Sequence, residues 1–304
     1  MPIEPLGMRA SIIRAYQWTR EIKCASVPSG QGPPTAPEMS TYSDQLNLAR
    51  RVAQQAGSIL MSHFGKAKVS QKQSQNLVTE ADLASERLIV DSITKQYPEH
   101  LFLLEEGQST AIGSEPHVWI IDPLDATNNY AHGIPHFSVS IAYASKGIPS
   151  VGVVWDPIRG EEFYAERGAG AFLNGERIQT STRGKLTESI IATGFYYDRG
   201  VLMERTLDGI RNLFHQNIRG IRRSGGAALD LSWVACGRFD GFFEYELEPW
   251  DYAAGSLLIS EAGGICSDRT GQALSLSSRN IIAGNESNHK ALVNAVSWDQ
   301  WEKS

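Results

Sequence analysis

Between residues 43 and 64 apolar positions recur every three to four residues, placing Leu46, Ala49, Val52, Ala53, Ala56, Ile59, Leu60 and Phe64 on one face. That period predicts an amphipathic helix, and Gly65 is a natural residue for leaving it in a left-handed turn. A second helix is predicted from Thr79, whose hydroxyl can cap it, to Pro98, which ends it. Its inner face is Ala81, Ser85, Leu88, Ile89, Ser92, Ile93 and Tyr97. Short apolar runs then predict strands over 102–105, 118–121, 138–144, 152–155 and 162–165. Gly168-Ala169-Gly170 leads into Ala171-Phe172-Leu173 and the tight Asn174-Gly175 turn, which is hairpin chemistry. No helical pattern follows this G-x-G, so it is not a dinucleotide-binding turn.

From there strands and helices alternate: strand 189–193, helix 201–214, a strand near 217–222, helix 226–236, strand 240–245, helix 251–262, strand 280–284 and helix 287–296. The pattern predicts a layered α/β protein whose first sheet is antiparallel and whose second part alternates. A boundary near 184–188 divides it into an α+β segment, 41–186, and an α/β segment, 187–304, that share an interface.

Composition narrows the function. The 304 residues are 41% hydrophobic and 20% charged, the balance of a soluble globular protein with room for a large core. A net charge of −6 argues against a nucleic-acid or membrane-surface binder. Cys24, Cys236 and Cys266 are too few and too scattered for a disulfide framework or a zinc cluster, and read as thiols of a reducing, cytoplasmic compartment. No apolar run approaches the roughly 20 residues that span a bilayer. Residues 1–40 stand apart: Arg9, Arg14, Arg20 and Lys23 face only Glu4 and Glu21, and 26–37 is small-residue and proline rich. Such a segment is expected to be disordered. It reads as a transit peptide for organellar import, as sequence upstream of a true start at Met39, or as a dispensable tail.

Candidate chemistry lies in acids at the ends of apolar elements. Asp82 falls in the first turn of the second helix, Glu105 and Glu106 end one strand, and Asp122 and Asp125 end the next. In Trp119-Ile120-Ile121-Asp122-Pro123-Leu124-Asp125-Ala126-Thr127-Asn128, Pro123 is expected to stop the strand and stiffen the turn. Asp251 opens the helix in Trp250-Asp251-Tyr252-Ala253-Ala254-Gly255. Each acid alone also suits a helix cap or a dipole partner. Repeated at several element ends, they would repel one another without a cation between them, and oxygen-only ligands select a hard ion such as Mg²⁺. His132 and His136 flank the motif, but no Ser or Cys pairs with either as a nucleophile, so both are expected to be structural.

These motifs, with Val78-Thr79-Glu80-Ala81-Asp82 and the hairpin at 168–175, resemble the Mg²⁺-dependent, lithium-sensitive phosphatases typified by inositol monophosphatase, over residues 43 to 300. The resemblance implies the five-layer α-β-α-β-α sandwich of the inositol monophosphatase and fructose-1,6-bisphosphatase type. It implies two or three Mg²⁺ ions: Glu105, Asp122 and the Leu124 carbonyl for the first, Asp122, Asp125 and Asp251 for the second, with Glu105 helping to hold a third. Thr127 and Asp82 match the pair that orients the attacking water, while Ala126 and Thr127 would offer N–H groups to the phosphate. Lys72 matches a lysine on the loop that closes near the metals. Where the family usually has Gly, this chain has Ala126; a positive φ there would cost on the order of 1 kcal/mol.

By the same resemblance Glu244 matches the acid that binds inositol hydroxyls, and Gly226, Ala227 and Ala228 the helix start lining that wall. Arg222 and Arg223 adjoin it, and strand alternation lets only one face the pocket. The expected activity is hydrolysis of inositol monophosphate or a similar small sugar phosphate, by a homodimer. Histidinol phosphate, fructose 1,6-bisphosphate and phosphoadenosine phosphate remain open as substrates, and a non-catalytic partner of a transcription complex is the alternative of a different class.

Overall fold

The computed structural model describes residues 41–66, 69–71, 77–110, 115–196 and 199–297. Helix α1 (Ser43–His63) buries Leu48, Val52, Ala56 and Leu60 on one face, and Gly65, at φ 74°, takes the left-handed exit. Strands β1 (Val69–Gln71) and β2 (Leu77–Thr79) pair as an antiparallel hairpin that apolar periodicity does not announce. Helix α2 (Glu80–Gln96) begins at Thr79, whose hydroxyl accepts the Ala81 and Asp82 N–H groups while the Asp82 carboxylate accepts that of Thr79. This reciprocal cap satisfies donors the first helical turn would otherwise leave bare.

A seven-stranded sheet follows: β3 (Leu101–Leu104), β4 (Val118–Asp125), β5 (Ser138–Ser145), β6 (Ile148–Asp156), β7 (Glu161–Glu166), β8 (Gly170–Leu173) and β9 (Glu176–Arg177), side by side in sequence order. Its pairs are antiparallel except that β3 runs parallel to β4. Pro123 does not end β4, which corrects the expectation above. The strand runs on to Asp125, with Asp122 opposite Ser140, Asp125 opposite Ser138, and a register shift between. In that irregular stretch no ladder donor is demanded of the proline, which is where a sheet tolerates one. The shift re-aims the chain into the short α3 (Thr127–Ala131).

The second half holds β10 (Ile190–Thr193), α4 (Val201–His215), β11 (Gly220–Arg222), α5 (Ala227–Ala235), β12 (Gly241–Tyr245), α6 (Pro249–Glu261), β13 (Ile265–Ser267), β14 (Asn280–Gly284) and α7 (Glu286–Val296). The second sheet has the order β11-β10-β12-β14-β13. Its β10 is parallel to β11 and β12, whereas β14 is antiparallel to β12 and β13.

Three apolar clusters glue five layers. Leu60, Ile89, Trp119 and Ile141 join α1 and α2 to the outer face of the first sheet. Val118, Phe163, Leu231, Tyr252 and Phe242 fill the space between the sheets, around α5 and α6. Phe243, Leu213, Leu292 and Val296 seal α4 and α7 against the second sheet. Helix α6 is buried nearly all round because it lies between two sheets, so it has no polar face. The architecture is the expected α-β-α-β-α sandwich. Among the described residues no helix is long and apolar enough to cross a membrane.

Candidate active site

A cavity of about 780 Å³ opens where β4, β10 and β12 end and α3, α5 and α6 begin. Helix N-termini and strand C-termini meet there, so backbone donors and acidic side chains are aimed into one space. Glu105, Asp122, Asp125 and Asp251 all line it, as do the Leu124 carbonyl region, Ala126, Thr127, Gly226, Ala227 and Glu244. The structure thus brings together residues up to 146 positions apart that the sequence marks separately.

Each of the three aspartates is fixed by a neutral donor. Asp122 accepts the Leu124 N–H at 2.9 Å. Asp125 accepts the Ser138 hydroxyl and the Ala227 N–H, both at 3.1 Å. Asp251 accepts the Glu248 N–H at 2.7 Å, a capping box at the start of α6. Capping and ligation are therefore not alternatives: Asp125 does cap a helix, but it is α5, a hundred residues away, rather than the adjacent α3. Among the described residues no lysine or arginine makes an ion pair with Asp122, Asp125 or Asp251.

The electrostatic consequence is uniform. Burial, reinforced by neighbouring acids, pushes the Glu105 carboxyl up to about 8 and that of Asp251 up to about 7. Asp125 is raised by burial to about 6 against the pull of its hydrogen bonds. Asp122, fully buried beside Glu105, stands well above the usual carboxylate range. Glu105 and Asp122 share a side-chain hydrogen bond, which two ionised carboxylates cannot make without a proton between them. A cation could take that proton's place. Among the described residues no three of these groups already enclose a point at ligating distance. The all-oxygen donor set of Glu105, Asp122, Leu124, Asp125 and Asp251 suits a hard divalent ion.

One layer behind lies Asp82, fully buried. Its Oδ2 accepts the Thr79 N–H at 2.9 Å and the Thr79 hydroxyl, leaving Oδ1 3.3 Å from Thr127 Oγ1. Thr127 Oγ1 also lies 3.1 Å from the Leu124 carbonyl. Burial raises the Asp82 carboxyl to about 6. Ala126 adopts φ 73°, ψ 46°, the left-handed conformation that favours glycine. The N–H groups of Ala126 and Thr127 sit at the start of α3, where no intrahelical acceptor exists for them.

Of the remaining candidates, Ala228 is buried in the first turn of α5 behind the lining, and Lys72 lies outside the described residues, as do residues 1–40. Arg223 lines the cavity, whereas Arg222 stands exposed on β11 with its guanidinium donating to the Ile221 carbonyl at 2.9 Å. Of the two arginines it is Arg223, just past the end of β11, that faces the cavity. His132, the exposed residue that closes α3, has its imidazole Nδ1 2.8 Å from the Asn128 carbonyl. His136 is packed edge-on against Trp233, and burial lowers its imidazole to about 4. Sequence reasoning missed Asp230, Arg199 and Gly194, all in the cavity wall. Asp230 had a signal, an acid between Leu229 and Leu231 on an otherwise apolar helix start; Gly194 had none.

A family model, the inositol monophosphatase family, matches residues 42–302. The chain belongs to the inositol monophosphatase family. It is 44% identical to Nus factor SuhB of Escherichia coli over 251 residues, covering 82% of this chain and 94% of that one. It is 40% identical to an inositol-1-monophosphatase of Synechocystis over 277 residues, 90% of this chain and 95% of that one. The solved structure of the Thermotoga maritima IMPase superposes with a TM-score of 0.78 at 37% identity, covering 86% of this chain and all of that one. Membership supports a phosphatase of a metal-dependent kind, and the layered fold is that of these structures.

Proposed function

We propose that the chain is a Mg²⁺-dependent phosphomonoesterase that hydrolyses inositol monophosphate or a similar small sugar phosphate. The observation that carries this reading is the gathering of Glu105, Asp122, Asp125 and Asp251 into one cavity, raised in pKa by burial and mutual repulsion. Glu105, Asp122 and the Leu124 carbonyl would hold one ion, and Asp122, Asp125 and Asp251 a second. Bound there, divalent ions supply an activated water, polarise the phosphoryl oxygens and stabilise the leaving alkoxide.

The chain's own groups do the rest. Thr127, donating its hydroxyl proton to Asp82, keeps a lone pair for a hydrogen bond from the attacking water, and so orients it. Asp82, at about 6, is matched to accept a proton near neutrality. The N–H groups of Ala126 and Thr127, with the start of α3, receive phosphate oxygens. Beyond the phosphate, Glu244 and the Gly226–Ala227 wall face a polyol. Glu244 lies in the same cavity as the acids, which favours a hydroxyl-rich substrate.

Turnover of a panel by the purified protein with Mg²⁺ tests this reading. Inositol 1-phosphate should be cleaved, and faster than histidinol phosphate. Preferential cleavage of histidinol phosphate would overturn the Glu244 assignment. Likeness to Nus factor SuhB favours a second role, as a partner in a transcription complex beside catalysis. Replacing Asp125 by Asn should then abolish phosphatase activity and leave partner binding intact.

A further inference from the structure

We propose that Gly194 is a positioning residue for substrate selection: by carrying no side chain it leaves the space in which the Glu244 carboxylate lies. The inference rests on the reading of Glu244 as the polyol-facing acid. Strands β10 and β12 are parallel neighbours with Thr193 opposite Phe243, so Gly194 and Glu244 stand side by side just where β10 ends. The Thr193 hydroxyl, donating to the Phe243 carbonyl at 2.8 Å, pins the two strands at this level. A Cβ at Gly194 would stand 2.1 Å from the Glu244 carboxyl carbon and from both its oxygens. That is far inside contact distance, so the carboxylate occupies the place of the missing side chain.

What would yield to a methyl group there is the far end of a flexible side chain. Gly194 is not among the glycines with positive φ, so alanine meets no backbone penalty. The carboxylate must swing away while the strand pairing stays. A second glycine shows the same device at the metal-facing end: a Cβ at Gly226 would lie 2.8 Å from Asp125 Oδ2. Two glycines thus make room for two functional acids, and the one under Glu244 bears on what the substrate carries beyond its phosphate.

The test is a double-mutant cycle read on two substrates, inositol 1-phosphate and p-nitrophenyl phosphate, which has no polyol. G194A should lower the ratio of their kcat/KM values roughly tenfold, about the loss of one hydrogen bond to a substrate hydroxyl, mainly through KM for the polyol ester. E244A should lower the ratio by a similar factor, and G194A added to E244A should lower it no further, because no carboxylate remains to be displaced. Equal losses on both substrates, or a further fall in the E244A background, would overturn the role of Gly194. An unchanged ratio in E244A alone would overturn the underlying reading of Glu244. A crystal structure of G194A separates the two failures: a displaced carboxylate supports the geometric claim, and an unmoved one refutes it. Should G194A fail to fold, folding restored in G194A/E244A supports the clash, and failure of both variants contradicts it.

Discussion

Two populations of acids with little or no solvent exposure sit in the same sandwich. For one set the chain supplies its own cations: Arg159 to Asp156 at 2.7 Å, Arg183 to Asp240 at 2.6 Å, Arg50 to Glu162 at 2.6 Å, and Arg238 to both oxygens of Glu161 at 2.6 and 2.7 Å. Around the cavity, Asp122, Asp125 and Asp251 receive only neutral donors and face one another. Burying a carboxylate is costly in both places. An arginine partner counters that cost, although burial still holds the Asp156 carboxyl above its ordinary range; where no arginine is paired, the proposed function gives that place to an ion from solution.

The largest expected break in that contrast is Asp125→Asn, which should lower kcat/KM by roughly a thousandfold and weaken Mg²⁺ binding, as removal of a ligand from a metal-dependent centre does. Steady-state kinetics over a Mg²⁺ series measures both. Next in size is the arginine-paired set. Asp156→Asn removes a fully buried partner of Arg159 and weakens its hold on the Ile158 and Arg159 N–H groups. It should cost about 2–3 kcal/mol, a drop of roughly 6–10 °C in melting temperature, with the metal site spared. Opposite in sign, Asp122→Asn in the presence of a chelator should raise the melting temperature by about 2–4 °C, because it relieves repulsion and keeps an acceptor for the Leu124 N–H. Equal losses of stability in Asp156→Asn and Asp122→Asn would erase the distinction between the two sets of acids.

How far this contrast was legible beforehand differs by element. Helices α1 and α2 are written in the spacing of their apolar residues, and the caps at Thr79 and Gly65 in the residue types themselves. The acids were visible because each ends an otherwise apolar run. Strand β13 was not, since three residues after Gly263-Gly264 are too few to show a period. Pro123 pointed the wrong way, because its effect depends on whether the partner strand demands a donor, and here the register shift removes that demand. Gly194 and the α5 cap by Asp125 are products of tertiary contact alone. No local pattern encodes which carboxylate will lie over a glycine two strands away in the chain.

Smaller effects sharpen the picture at the edges. His100 is stacked on Tyr97 and His117 and accepts the Trp119 N–H at 3.0 Å, and burial lowers its imidazole to about 4. Between that value and the ordinary 6.5 the unfolded chain binds the proton and the folded chain does not, so the contribution of His100 to stability falls as the pH drops through this window, while the raised cavity carboxyls contribute in the opposite direction. His136, lowered to about 4 by burial, adds in the same direction. The melting temperature of His100→Asn relative to that of the parent protein should therefore rise from pH 7 to 4. Similar in size to the Asp122→Asn effect, Ala126→Gly should relieve the left-handed turn at φ 73° and stabilise the fold by about 1 kcal/mol, or about 2–4 °C by calorimetry.

The central claim is that the cavity acids form a divalent-cation site. Calorimetric titration of the purified protein with Mg²⁺, with inorganic phosphate present, tests it most directly. Saturable uptake of at least two ions in the parent protein, reduced in Asp125→Asn and unaffected in Asp156→Asn, is the predicted result. Absence of any saturable Mg²⁺ uptake, or equal uptake in the parent protein and Asp125→Asn, would contradict it.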